Sequence, residues 1–322
     1  MTFARIAATG GYLPARVMAN AEFEAFLDTS DEWIRSRSGI ASRHIAADDE
    51  TTSDMALAAA NSALRQGDID AARIDLIVVA TTTPDKVFPS TACIVQRRLG
   101  ISGTPAFDVH AACSGFIYAL DVADRFVRTG GAKCALVVGA EMYSRVIDWK
   151  DRTTCVLFGD GAGAVVLEAS EEPGIVSAHS HADGRYEELL HVPFGISNGY
   201  EHVRAEEAWI RMKGNEVFRQ AVSTLGTIAE ETLAANNVSK GDIAWLIPHQ
   251  ANLRIIAAAA KKLDLPMERV VITVDKHANT SSASIPLALD VAVRDGRIRR
   301  GELLLFEAFG AGFTWGSALV RY

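Results

Sequence analysis

The segment Ala119-Leu120-Asp121-Val122-Ala123 recurs roughly half a chain later as Ala288-Leu289-Asp290-Val291-Ala292, and the surroundings recur with it. Phe107-Asp108-Val109-His110 precedes the first copy. A glycine stop, an apolar run at 134–138 and Gly159-Asp160-Gly161-Ala162-Gly163 follow it. The second copy has Ile272-Thr273-Val274 as its strand-like lead, then Gly301, a run at 303–306 and Gly310-Ala311-Gly312. Self-similarity on this scale constrains the fold, because each copy reads as one α/β unit that must bury its apolar face against the other. Strand-like runs at 74–80, 134–140 and 243–247 alternate with helical stretches, the pattern of an α/β protein with covered sheets. The turn-rich Glu171-Glu172-Pro173-Gly174 marks the predicted seam between halves 1–170 and 171–322.

With 322 residues, 49% of them hydrophobic, the chain can fill two cores of ordinary size. A net charge of -8 disfavours nucleic acid and anionic membranes as partners. No apolar run approaches the roughly 18 residues of a membrane span, and no basic-then-apolar leader opens the chain, so the expected location is the cytoplasm. Cys93, Cys113, Cys134 and Cys155 form no C-x-x-C pair. Neither a zinc site nor a disulfide framework is expected, and no metal.

Three short segments carry chemistry. Cys113, in Ala111-Ala112-Cys113-Ser114-Gly115-Phe116, falls where a strand ends and a helix begins. There the helix dipole and free N–H groups favour a thiolate and are expected to lower its pKa. Taken alone, such a cysteine is more often an inert core residue. His249, in Pro248-His249-Gln250-Ala251-Asn252, follows a strand in the manner of α/β ligand loops, although a hydrogen-bonded structural histidine fits equally. His110, His179, His181, His191, His202 and His277 lack that setting. Asn279, in Lys276-His277-Ala278-Asn279-Thr280-Ser281, holds the place in the second repeat that the Cys113 segment holds in the first. It suits either a helix cap or an amide donor to an oxyanion. The two glycine-rich tracts run into strands rather than opening helices, which argues against a dinucleotide site. They are read instead as close backbone approaches to the cysteine.

In this order and spacing the segments, with Thr29-Ser30-Asp31-Glu32-Trp33-Ile34 and Asp151-Arg152-Thr153-Thr154-Cys155, resemble the β-ketoacyl-acyl carrier protein synthase III family along the whole chain. The resemblance implies a thiolase-like five-layered αβαβα sandwich of two similar halves, normally a homodimer. It implies a Cys113, His249 and Asn279 triad, and an oxyanion hole from the N–H groups of Cys113 and Ala311, where the family usually has glycine. It also implies a coenzyme A site in which Trp33 and Arg37 hold the adenine while Thr29, Arg152, Gly214, Phe218 and Asn252 line the approach. Phe88 is expected to reach across the dimer to the acyl pocket.

The activity so implied is decarboxylative condensation of an acyl-coenzyme A primer with malonyl-acyl carrier protein, with no cofactor. Arg219, Arg254, Lys261 and Lys262 are candidates for docking the acidic carrier. A biosynthetic thiolase would need a second cysteine near the C-terminal glycine segment, and none is there. The alternatives are related condensing enzymes of secondary metabolism or long-chain acyl joining. A silent scaffold would be expected to have lost the cysteine or the histidine.

Overall fold

The computed structural model describes residues 2–204 and 208–322. Five strands build one sheet, in the order Phe3–Tyr12, Asp160–Ser170, Cys134–Met142, Leu76–Ala80 and Ala106–Val109. Four build the other, in the order Ile175–Ala182, Thr314–Arg321, Leu303–Gly310 and Trp245–Pro248. Every strand of the first sheet thus precedes Glu171, and every strand of the second follows it. Directions match as well: antiparallel, antiparallel, then parallel along each sheet.

The first sheet has one more parallel strand, Ala106–Val109. Its counterpart in the second sheet shrinks to an isolated bridge between Leu246 and Val270. The strand expected at 272–274 does not form. Gln250 explains the difference: its buried Oε1 accepts the N–H groups of Thr273 and Val274 at 2.8 and 3.0 Å, and Val274–His277 turns into a short helix.

Helices Gly115–Arg128 and Ser284–Arg294 lie between the two sheets and share one core with both. Phe116, Leu120, Ile285 and Leu289 meet Val78, Val137, Phe306 and Val320 there. Helices Thr52–Gly67 and Thr91–Arg98 cover the outer face of the first sheet, and Gly214–Ala235 and Leu253–Lys262 that of the second. The result is the five-layered αβαβα sandwich. The repeat is visible down to its charges, since Asp121 pairs with Arg125 at 3.1 Å and Asp290 with Arg294 at 2.8 Å. Burying both faces of both sheets requires apolar strands throughout, and Cys134–Met142 and Leu303–Gly310 are buried at every position.

Candidate active site

The same sequence offset that carries Ala119 onto Ala288 carries Ala112 onto Ser281, and these two residues share an unusual backbone. Ala112 has φ +45° and Ser281 φ +50°. Each opens a 3₁₀ turn, Ala112–Ser114 or Ser281–Ala283, that feeds a central helix. A left-handed conformation costs a residue with a Cβ about 1–2 kcal/mol, so packing must hold both turns in place. Glycines permit that packing. A Cβ on Gly310 would stand 2.8 Å from the Cys113 nitrogen, and one on Gly139 2.3 Å from the Ser282 carbonyl oxygen. Thr314 ties the strand end to the first turn by donating to the carbonyls of Ala111 and Ala311 at 2.9 and 3.1 Å.

The other glycine tract behaves differently from expectation. Gly161 and Gly163 lie inside the strand Asp160–Ser170, where a Cβ on Gly163 would meet the backbone of Pro286 and Leu287. Gly159 abuts His277 and Arg43. This tract lets the second central helix approach the first sheet and does not touch the cysteine.

Cys113 lies on the wall between two cavities. A narrow one of about 110 Å³ is lined by Cys113, His249, Asn279, Phe309 and, toward its mouth, Gly214, Phe218 and Asn252. A wider one of about 570 Å³ lies on the other side, lined by Cys113, Thr82, Thr83, Tyr143, Phe158 and Ala311 among others. The expected low thiol pKa is not found: burial pushes it up to about 12 despite the hydroxyl of Ser281 at the sulfur. Cys113 precedes the α-helix itself by a 3₁₀ turn, and desolvation outweighs the dipole.

His249 is buried and held neutral, its pKa pushed down to about 3 by desolvation. Its Nδ1 lies 2.7 Å from the Ser284 hydroxyl, which also accepts the Gln250 N–H at 3.3 Å. With that oxygen already accepting, its proton goes to Nδ1, which leaves Nε2–H as the donor facing the cavity. Asn279 is held as firmly. Its N–H donates to Leu157 O, its carbonyl accepts from Gly159, and its side-chain Oδ1 accepts the Ser281 N–H at 2.8 Å. The cap and the amide-donor readings therefore coexist: the oxygen is consumed by the turn, and the NH₂ group is presented to the cavity.

Comparison with known proteins places this architecture. The family model described as 3-oxoacyl-[acyl-carrier-protein] synthase III matches residues 107–184, and the model of its C-terminal part matches residues 233–322. The β-ketoacyl-[acyl-carrier-protein] synthase III of Thioalkalivibrio sulfidiphilus is 66% identical over the full length of both chains. The chain belongs to the β-ketoacyl-acyl carrier protein synthase III family. It is an acyl-transferring condensing enzyme. The crystal structure of the Aquifex aeolicus VF5 synthase III superposes with a TM-score of 0.93 at 48% identity, covering 99% of this chain and 100% of that one. The priming β-ketosynthase of the R1128 polyketide pathway gives 0.94 at 39% identity, covering 99% and 96%.

The remaining expected site residues fall into separate groups. Trp33 is flanked by two guanidinium groups, Arg37 at 4.4 Å and Arg152 at 5.2 Å from its ring centroid, outside the narrow cavity. Arg152 also bonds Asp28, and the buried Thr29 hydroxyl nearby in sequence has no partner among the described residues. Asn252 joins this group to the cavity, but its side chain is spent: Oδ1 caps the helix through the Arg254 N–H and the NH₂ donates to Arg37 O at 3.0 Å. Phe88 lines neither cavity and is 83% exposed beside the exposed Val87. Arg219, Arg254, Lys261 and Lys262 are all exposed, on the two helices that flank the narrow cavity's mouth. Ala311 is not among the described residues with positive φ, so alanine fits where the family usually has glycine.

Ser284, Ser281 and Glu141 were not singled out from sequence. The repeat held a signal for the first two, since Ser284 stands where the first copy has Gly115 and Ser281 where it has Ala112.

Proposed function

We propose that Cys113, His249 and Asn279 perform the family's reaction in this chain, condensing an acyl-coenzyme A primer with malonyl-acyl carrier protein to start fatty-acid synthesis. The observation that carries the reading is the placement of Cys113 between two cavities, with the His249 and Asn279 donors in one of them. The narrow cavity suits a pantetheine arm arriving past Phe218 and Asn252, with Trp33, Arg37, Arg152 and Thr29 holding the nucleotide outside. The wide cavity suits the acyl group.

The sulfur attacks the thioester carbonyl, the bond to the coenzyme A sulfur breaks, and acyl-Cys113 remains. Malonyl then loses CO₂, and the electron pair passes to an enolate oxygen held by His249 Nε2–H and the Asn279 NH₂. The enolate carbon attacks acyl-Cys113. The tetrahedral oxyanion is held by the N–H groups of Cys113 and Ala311, and its collapse releases the 3-oxoacyl product. No step calls on a metal or redox cofactor.

The dimer belongs to the same reading: Val87 and Phe88 stand exposed side by side, where a partner would cover them. So do the division at residues 170 and 171 and a cytoplasmic location. Among the described residues no helix is long and apolar enough to cross a membrane. The R1128 priming ketosynthase is 39% identical, whereas relatives named β-ketoacyl-[acyl-carrier-protein] synthase III exceed 60% over nearly the whole chain, which favours the fatty-acid reading. The deciding experiment is intact-mass and peptide mapping of Cys113 after exposure to a panel of acyl-coenzyme A thioesters. The retained mass names the primer, and label found on Cys93, Cys134 or Cys155 instead would sink the assignment.

A further inference from the structure

Glu141 is a fully buried carboxylate close to the reacting sulfur, and the condensation leaves it unused. Its Oε2 accepts from the Thr82 N–H and the Thr82 and Thr83 hydroxyls at 2.9–3.0 Å. Its Oε1 faces the hydroxyls of Ser281 and Ser282, each at 3.2 Å. Ser281 opens the turn that packs against the Cys113 turn, and its hydroxyl favours the Cys113 thiolate. One hydroxyl, that of Ser281, thus stands between the sulfur and the carboxylate.

The proton balance of the reaction needs such a path. Acylation must remove the thiol proton, and collapse of the tetrahedral intermediate returns a thiolate that must be reprotonated. His249 is a poor acceptor, because its pKa lies near 3 in its buried position. We infer that Ser281 and Glu141 form a proton relay to Cys113, with Glu141 holding the thiol proton for as long as the sulfur carries the acyl group. The inference rests on Cys113 being the nucleophile.

In acylation the S–H proton passes to Ser281 Oγ while the Ser281 proton passes to the Glu141 carboxylate. The coenzyme A thiolate leaves and takes a proton from solvent. When the C–S bond of acyl-Cys113 breaks, the Glu141 proton moves to Ser281 Oγ and the Ser281 proton to the thiolate. One solvent proton is consumed per turnover, as replacement of the malonyl carboxylate by CO₂ requires. Ser281 stands between the reacting sulfur and Glu141. Glu141 acts at one remove and positions the proton.

Burial raises the Glu141 pKa to about 7, where a carboxylate both accepts and returns a proton readily. The titratable groups facing it are Cys113 and Tyr143, both pushed up by burial, and among the described residues no ion pair joins it to a base.

The test is single-turnover acylation of the full-length protein by acetyl-coenzyme A, read by intact mass from about pH 5.5 to about pH 9, a range that brackets a base tuned near neutrality. Wild type should show a rate that rises with pH and inflects near 7. Glu141→Gln should be slower by on the order of 10²-fold and should lose the inflection near 7, its residual rate following only the thiolate fraction of the buried thiol. Ser281→Ala, which leaves the threonine contacts of Glu141 in place, should lose the inflection too, and keeps the test open if the first variant fails to fold. An inflection retained in either folded variant, or a pH-flat wild type, overturns the relay while leaving Cys113 as nucleophile. A wild type that takes up no acyl group at Cys113 sinks the functional reading and the relay together.

Discussion

The turn Ala112–Ser114 and the turn Ser281–Ala283 have the same shape and opposite surroundings. The central residue of the first, Cys113, opens onto both cavities. The central residue of the second, Ser282, lines neither of them and donates to the Ala80 carbonyl at 2.9 Å. Duplication thus supplied two strained turns, and packing left only one of them facing substrate space. If that division is right, the largest effect in the molecule comes from Cys113→Ala, which should reduce acyl labelling to background. Adding Ser282→Cys should not restore it, because the new thiol would sit against Ala80 and Glu141. Covalent label on the introduced thiol of the double variant, mapped by peptide mass, would break the comparison.

In the proposed reaction the second half contributes donors where the first contributes a nucleophile. His249→Ala and Asn279→Ala should each slow malonyl decarboxylation by about 10²–10³-fold, the usual cost of one oxyanion donor. Acylation of Cys113 should suffer much less. Timing the two half-reactions separately measures the split, and variants that acylate slowly yet decarboxylate normally would reverse the roles. Ser284→Ala sharpens the point, since losing its proton frees His249 Nδ1 to carry the hydrogen and removes the Nε2 donor. Its profile should follow His249→Ala at lower amplitude.

Much of this was legible in the sequence because the repeat and the motifs are local patterns. The ALDVA echo foretold the paired central helices, and covered sheets followed from apolar strands. What was not legible depends on neighbours distant in sequence. At Cys113 the helix start favours a thiolate, but burial against segments distant in sequence, such as Gly310, raises the pKa instead. The strand at 272–274 looked sound from composition, but a single glutamine side chain 23 residues earlier took its N–H groups. Glu141 reads as one more residue of a buried strand until Thr82 and Ser281 are folded around it.

Each sheet also buries a carboxylate, and the two differ. Glu141 is surrounded by donors, whereas both oxygens of Glu307 are buried without a partner among the described residues. Burial raises the Glu307 pKa from its ordinary value near 4.5 to about 8, which keeps the side chain neutral at pH 7. The folded protein then holds a proton that the unfolded chain releases. The associated stability is complete below about pH 4.5, falls as pH rises toward about 8, and is level above that. Glu307→Gln cannot ionise, so its melting temperature should gain on wild type across that window, each unit of raised pKa carrying about 1.4 kcal/mol. Thermal unfolding of both proteins at several pH values tests this. A difference that stays constant with pH would show that Glu307 ionises freely and is solvated.

The smallest expected effect lies at the mouth of the narrow cavity, where the two outer helices of the second half expose Arg219, Arg254, Lys261 and Lys262 on a chain whose net charge is -8. The first half offers no match to this setting, because its outer helices are not beside the cavity that holds the donors. Arg254 is not a free charge: its guanidinium lies 4.9 Å from the ring centroid of Phe218, which lines the cavity. The Lys262 stem packs over Gly226, and the residue is exposed. An acidic carrier repelled by the whole chain would be drawn to this edge. Such steering acts on encounter and is screened over about 8–10 Å at moderate ionic strength. Arg254→Glu with Lys261→Glu should therefore lower kcat/KM for malonyl-acyl carrier protein several-fold at low salt, by less at high salt, and flatten the salt dependence. Acylation by acyl-coenzyme A should change little, since the proposed nucleotide site at Trp33, Arg37 and Arg152 lies on neither of these helices. Equal loss in both half-reactions would mean that turning Arg254 off the Phe218 ring has deformed the shared cavity. No loss in either would put the docking surface on a different face of the chain.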